Sequence, residues 1–166
     1  MIFAYAALFP EKYWPKKISF HGLVISEGEK MSKSKGNVIT LLDAKKRLGA
    51  DIFRFYLTQA SNITGTFDWK NAEAENAKRN IEKIYSIIIE GMNNRREGEI
   101  SKLYLSKFNR IIKDATLRLN EMRLKDYDSL VFYEMMNMIK RAKQNFNDKQ
   151  LKALYCYIIT DWIKLL

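Results

Sequence analysis

Hydropathy along the chain changes its period near residue 68. Downstream, apolar residues recur at i, i+4, i+7 and i+8, the signature of amphipathic helices. Ala77, Ile81, Ile84, Tyr85, Ile88 and Met92 form one stripe, and Leu105, Phe108, Ile111, Ile112, Ala115, Leu119 and Met122 a second. Phe132, Met135, Met136, Ile139, Ala142 and Phe146 form a third, and Leu151, Leu154, Tyr155, Ile158, Trp162 and Ile163 a fourth. Turns are expected at 93–98, near Lys125-Asp126-Tyr127-Asp128, and at Asn147-Asp148. Four such helices with short turns predict an antiparallel bundle. Tyr and Met within the stripes are read as core rather than as base-stacking platforms.

The front of the chain is mixed. Residues 2–9 are apolar and too short for periodicity to choose between helix and strand. Pro10 and Pro15 bracket a surface connection. Lys17 to Ile25 is β-branched and aromatic enough to predict a strand, turned by Ser26-Glu27-Gly28-Glu29. Thr40 with Asp43 predicts a helix start, Gly49 its end, and Asp51 the cap of a second short helix carrying Ile52, Phe53, Phe55, Tyr56 and Leu57. A mainly α chain follows: a small α/β piece over 1–67, then a helical bundle over 68–166. Both ends look cut, which predicts a region of something longer.

Charge narrows the partners. Lys and Arg number 29 against 19 Asp and Glu, a formal +10, which favours a polyanion. No apolar run approaches the roughly 20 residues that span a bilayer. The single cysteine, Cys156, sits in a helical stripe and is read as a buried small hydrophobe; nothing indicates disulfides or secretion. A cytoplasmic location is the default.

The chemistry concentrates in Glu29-Lys30-Met31-Ser32-Lys33-Ser34-Lys35-Gly36-Asn37. A solvated basic loop, or a kinase target, is the plain reading of such a run. Three details favour an anion site. The loop follows a strand, Met31 is apolar within a charged run, and Gly36-Asn37 offers positive φ and side-chain capping. The Walker spacing is absent.

Lys30-Met31-Ser32-Lys33-Ser34 is identical to the KMSKS signature, and the chain resembles class Ia aminoacyl-tRNA synthetases there. Gly49 to Leu57 resembles the leucyl, isoleucyl and valyl subgroup. Phe9-Pro10-Glu11 with Trp14-Pro15, His21-Gly22-Leu23-Val24 and Phe67-Asp68-Trp69 are most similar to leucyl enzymes of the archaeal and eukaryotic-cytosolic kind. The resemblance is dense over roughly residues 1–80 and rests on helical architecture beyond.

The resemblance implies a fold: the end of a Rossmann-like catalytic domain, two short stem-contact helices, and an anticodon-binding bundle. It implies ATP as co-substrate, with Mg²⁺ carried on its phosphates and no protein metal ligands. Lys33 is implied as the main contact to departing pyrophosphate, with Lys30 assisting. Met31, Ser32 and Ser34 complete the ATP loop, and His21 and Gly22 lie beside the adenine. The implied partners are tRNA(Leu), and ATP and leucine in a full-length enzyme acting as a monomer. Lys45, Lys46, Arg47, Lys78, Arg79, Arg95, Arg96, Lys140, Arg141 and Lys143 are candidate phosphate contacts, although a solvated charge is the default for any one. The alternatives are an isoleucyl or valyl fragment, or a non-catalytic tRNA-binding helical module.

The family's other signature needs two histidines, and His21 is the only one here. An editing insertion and the full parallel sheet are also lacking. The chain is therefore expected to hold half of an ATP site, to be inactive alone, and to leave its lysine loop poorly ordered without the other half.

Overall fold

The computed structural model describes residues 2–16, 22–62 and 65–166. It is mainly helical with one small sheet, as the hydropathy pattern requires. Residues 2–9 resolve as a helix, α1 (Ile2–Leu8), followed by an exposed turn at Glu11–Tyr13 between the two prolines. Of the strand expected over Lys17–Ile25, residues 17–21 lie outside the described residues, Gly22 and Leu23 are not strand, and Val24 and Ile25 fall in β1 (Val24–Ser26), which also takes in Ser26 from the expected turn. Glu27 and Gly28, at φ 50 and 81, turn the chain tightly into β2 (Glu29–Lys30). Left-handed φ at both central residues suits a two-residue hairpin, because it matches the twist of the strands. β1 also pairs in parallel with β3 (Phe67–Trp69), giving the order β2-β1-β3.

Two short helices separate loop from β3. α2 (Leu41–Leu48) is capped as expected: the Asp43 amide donates to Thr40 Oγ1 at 3.1 Å, whose hydroxyl donates to Asp43 Oδ2 at 2.6 Å. Gly49 ends it at φ 81, ψ 165, a region open essentially to glycine. Asp51 does not cap the next helix. α3 (Ala50–Ala60) starts two residues earlier than that cap would allow, with Gly49 at its N-cap, and Asp51 sits in the first turn, where its charge still complements the helix end.

The bundle has four rods. α4 (Asn71–Asn94) and α5 (Lys102–Asn120) are the first two. The third is continuous: α6 (Leu124–Asp128), a π turn over Ser129–Glu134, and α7 (Met135–Asn145). α8 (Asp148–Leu165) is the fourth, begun by a reciprocal Asn147–Gln150 capping box at 2.9 and 3.1 Å. α4 and α8 are antiparallel. Gly91 faces Tyr155 and Ile159, while five residues later the Arg96 amide donates to Lys152 O at 3.1 Å. The crossing at Gly91 is tight: a Cβ there would stand 2.7 Å from Ile159 Cδ1.

Two expectations fail at the α5–α6 junction. The turn is not at Lys125–Asp128, which is helical, but at Met122. Met122 takes the left-handed φ of 58; its amide donates to Leu119 O and that of Arg123 to Arg118 O. That is the Schellman ending, with methionine where glycine is usual. Met122 is therefore exposed rather than core, as are Tyr85, Met92, Leu119 and Ile163. Within α5 the buried row is Tyr104, Phe108, Ile111 and Ala115, one residue off the expected phase at its start. Cys156 is half-buried, not buried.

One apolar cluster runs from Ala44 and Leu48 through Tyr56, Phe67 and Trp69 to Trp162. Where the π turn widens the ladder, Val131 O accepts the Trp162 indole N–H at 2.8 Å. Among the described residues, no helix is long and apolar enough to cross a membrane.

Asp128 is the anomaly of this core. It is only 5% exposed, and its Oδ2 has no hydrogen-bond partner. It borders a cavity of about 560 Å³ with Arg54, Phe55, Ile84 and Leu124. Burial pushes its carboxyl from the ordinary 3.8 up to about 6, with the Thr58 hydroxyl opposing. The folded chain therefore binds this proton more tightly than the unfolded one. The contribution of Asp128 to stability falls as pH rises from about 4 to about 6 and is level above, by roughly 3 kcal/mol in all. Asp128→Asn is expected to raise stability at pH 7 by about 1–2 kcal/mol and to flatten this dependence. Urea unfolding at pH 4.5 and 7 measures both; a destabilised variant at pH 7 would contradict it.

Candidate functional site: a lysine loop on a two-stranded hairpin

Lys30 ends β2, and the next six residues fold back on themselves. Ser32 starts a single 3₁₀ turn, Lys33–Lys35, by accepting the Lys35 amide on its Oγ at 3.3 Å. Gly36 closes the turn at φ 67, where a side chain would strain the backbone. Asn37 then ties the loop's two ends together. Its Oδ1 accepts the Ser32 amide at 2.8 Å, and its Nδ2 donates to Lys30 O at 3.2 Å. The expected roles of Gly36 and Asn37 are thus visible, and the turn is closed by its own hydrogen bonds.

The side chains sort by direction. Met31 is partly buried and packs on the core, which anchors the loop from below. Lys30, Lys33 and Ser34 are exposed. The hydroxyls of Ser32 and Ser34 lie 3.2 Å apart. Lys35 is committed to Glu29 at 2.8 Å, while among the described residues Lys30 and Lys33 have no ion pair. Two exposed cations on a turn with two adjacent hydroxyls fit a polyphosphate. Among the described residues no group of His, Cys, Asp or Glu could hold a metal ion.

Gly22 lies at the edge of this hairpin. A Cβ on it would stand 2.3 Å from Gly65 O, so the two backbones meet closely there. His21 lies outside the described residues.

The basic candidates fall into separate places. Lys45 and Lys46 are exposed on α2, directly after the loop. Arg47 is otherwise employed: it donates to Asn71 Oδ1 at 2.7 Å, lies 3.6 Å from Glu75, and sits over the Trp69 ring. Lys78 and Arg79 lie on α4, Arg79 bonded to Asn76. Arg95 and Arg96 are exposed beyond the far end of α4. Lys140 and Arg141 are exposed on α7, but Lys143 pairs with Glu90 at 2.5 Å. Glu90 also accepts from the Tyr155 hydroxyl at 3.0 Å; burial first, then this partner, raises that phenol's pKa.

Sequence reasoning missed Glu27, Asp68 and Asn71. The Gly28 amide donates to Asp68 Oδ1 at 3.0 Å, and Glu27 Oε1 accepts from Asn71 N and Nδ2 at 2.9 and 3.2 Å. These contacts join residues 40 and 44 positions apart. Only the Glu-Gly turn and the Phe67-Asp68-Trp69 motif hinted at them.

A family model described as tRNA synthetases class I (M) matches residues 2–94, and the chain belongs to this family. The leucine–tRNA ligase of Staphylothermus marinus is 35% identical over 170 residues, covering 99% of this chain and 18% of the relative. Those of Pyrococcus furiosus and Methanococcus vannielii are both 34% identical, covering 99% and 100% of the chain and 18% of each relative. The chain therefore spans under a fifth of the length of these relatives. Their similarity extends past residue 80, where architecture alone was expected to carry it. In fold, the chain resembles the LeuRS of a ternary LeuRS–tRNA–LeuAMS complex from Agrobacterium radiobacter K84. The TM-score is 0.67 at 14% identity, over 87% of this chain and 20% of that one.

Asn37→Ala is expected to open the loop without unfolding the protein. Losing its two ties should speed exchange of the Ser32 amide about tenfold, while the Ile158 and Ile159 amides keep their protection. Hydrogen exchange followed by NMR reads this directly; an unchanged Ser32 rate would show that Asn37 does not hold the turn.

Proposed function

We propose that the chain is part of a leucine–tRNA ligase, carrying its ATP/pyrophosphate loop and a tRNA-binding bundle. The observation that carries this is the pair of exposed lysines, Lys30 and Lys33, on a turn anchored by Met31. The family assignment gives the reaction class, and archaeal leucine–tRNA ligases matched over the whole chain favour leucine over isoleucine or valine.

The chemistry is activation of leucine by ATP and transfer to tRNA(Leu). When the amino-acid carboxylate attacks the α-phosphorus, negative charge grows on the leaving pyrophosphate. A cation that meets it at that moment lowers the barrier more than one that holds the ground state. Lys33 takes that role and Lys30 supports it. Ser32 and Ser34 offer hydroxyls to the phosphates, and Gly22 with His21 forms the adenine side. Mg²⁺ accompanies the nucleotide, with phosphate oxygens as its main ligands.

The division into residues 1–67 and 68–166 places the loop in one unit and tRNA contacts mainly in the other, with β3 shared at the junction. α4, at 24 residues, spans about 36 Å. It separates the loop end from the end bearing Arg95 and Arg96. The protein is read as a cytoplasmic monomer.

Two measurements test this reading. Residues 1–166 alone should give no leucine-dependent ATP–pyrophosphate exchange, since half of the site is elsewhere. In a polypeptide that completes the site, Lys33→Ala should lower that rate by about 10²–10³ and leave the Michaelis constant for leucine little changed. An unaltered rate with weakened tRNA binding would reassign Lys33.

Binding of tRNA(Leu) by the chain itself should weaken steeply with salt. Removing Arg95 and Arg96 together should lower the log–log salt slope by about 2. Filter binding between 50 and 200 mM salt measures both; a slope unmoved by the double substitution excludes this end of the bundle.

A further inference from the structure

α4 has no cap of its own. Lys70 stands at its N-cap and makes no side-chain hydrogen bond to it. The capping acceptor comes instead from Glu27, in the β1–β2 turn, whose Oε1 receives both the backbone and the side-chain N–H of Asn71. A carboxylate at this end also meets the favourable side of the helix dipole. Asn71 is itself a junction: its Oδ1 accepts from Arg47 Nη2 at 2.7 Å and from the Trp69 indole at 3.0 Å. The turn is fixed from β3 as well, through Glu27 N to Trp69 O at 2.9 Å and Gly28 N to Asp68 Oδ1 at 3.0 Å. Two residues beyond that turn stands Lys30, and three further on Lys33.

We infer that Glu27 and Asn71 are positioning residues for the lysine loop, holding it in a set place on the first turn of α4. This rests on the reading of the loop as a polyphosphate site. Glu27 touches neither Lys30 nor Lys33; it acts through the hairpin. A displacement of α4 under a bound polyanion would then carry the hairpin with it, so occupancy of the bundle would be felt at the loop, and the reverse by linkage.

Charge and position make opposite forecasts for Glu27, which gives a clean test. Removing a carboxylate near an anion site strengthens anion binding on electrostatic grounds alone. Glu27→Gln removes the charge but keeps the carbonyl oxygen that accepts from Asn71. Glu27→Ala removes both. With inorganic tripolyphosphate as the probe in calorimetry, E27Q should bind as tightly as the unaltered chain or tighter. E27A should bind about tenfold more weakly than E27Q. Exchange at the Ser32 and Lys35 amides should quicken in E27A, while Ile158 and Ile159 in α8 keep their protection.

Equal tripolyphosphate affinities for E27A and E27Q would overturn the inference, as would loop exchange that rises only in step with α8. Should E27A fail to fold, Asn71→Ala carries the same comparison, because it leaves the carboxylate and the α4 backbone cap in place. Faster loop exchange supports the inference and unchanged exchange overturns it. Lys33→Ala run alongside separates the two claims: if it leaves tripolyphosphate affinity intact, the reading of the loop fails; if it weakens binding while E27A matches E27Q, only the positioning role fails.

Discussion

A single tyrosine hydroxyl grips the residue through which the sheet becomes the bundle. Tyr56 accepts the Lys70 amide at 3.0 Å and donates to Lys70 O at 3.2 Å. Lys70 is all that lies between β3 and α4, so its conformation sets the angle at which the longest helix leaves the sheet. The ring of Tyr56 stands edge-on to Trp69 and Phe67, at 5.1 and 5.7 Å. Burial of this phenol raises its pKa, which keeps the hydroxyl able to donate. The front piece and the bundle share one apolar cluster because this corner is filled.

From that corner the two halves take different kinds of order. The bundle is held by interdigitated apolar rows, a large and diffuse contribution that tolerates single losses. The lysine loop is held by a few directional bonds at the surface, through Asn37, Ser32 and the Glu27–Asn71 contact. Solvent competes for each such bond, and each contributes only about 1 kcal/mol net. The loop is therefore the part of the molecule whose geometry can be reset at small cost, as suits a segment that must meet charge appearing late in a reaction.

Much of this was legible in the residues, and the failures have physical causes. The four rods followed from apolar spacing, because a buried stripe is a local property of the sequence. The Thr40 cap and the Gly36 turn were readable for the same reason. The phase of α5 was not, since tyrosine and leucine score alike while only packing decides which faces inward. The α5–α6 turn was hidden because methionine sits where glycine usually advertises a left-handed residue. Asp128 was invisible as a buried acid, because its burial comes from α3 and α4, far off in sequence. Glu27, Asp68 and Asn71 escaped on the same ground. They join segments some 40 residues apart, and no local pattern encodes such a bond. The lysine loop, by contrast, was found from its own residues, and its internal ties are all within seven positions.

The close crossing of α4 and α8 reaches beyond stability into how this sequence can drift. Gly91 has no side chain because Ile159 and Tyr155 already occupy that space. An alanine at 91 would be accommodated by a smaller or rotated side chain at 159 or by a wider separation of the two helices. The second route would pull Arg96 from its bond to Lys152 and shift the basic end of the bundle. Positions 91 and 159 are thus coupled through the space they share. Their co-variation would record the helix spacing more faithfully than the identity of either residue.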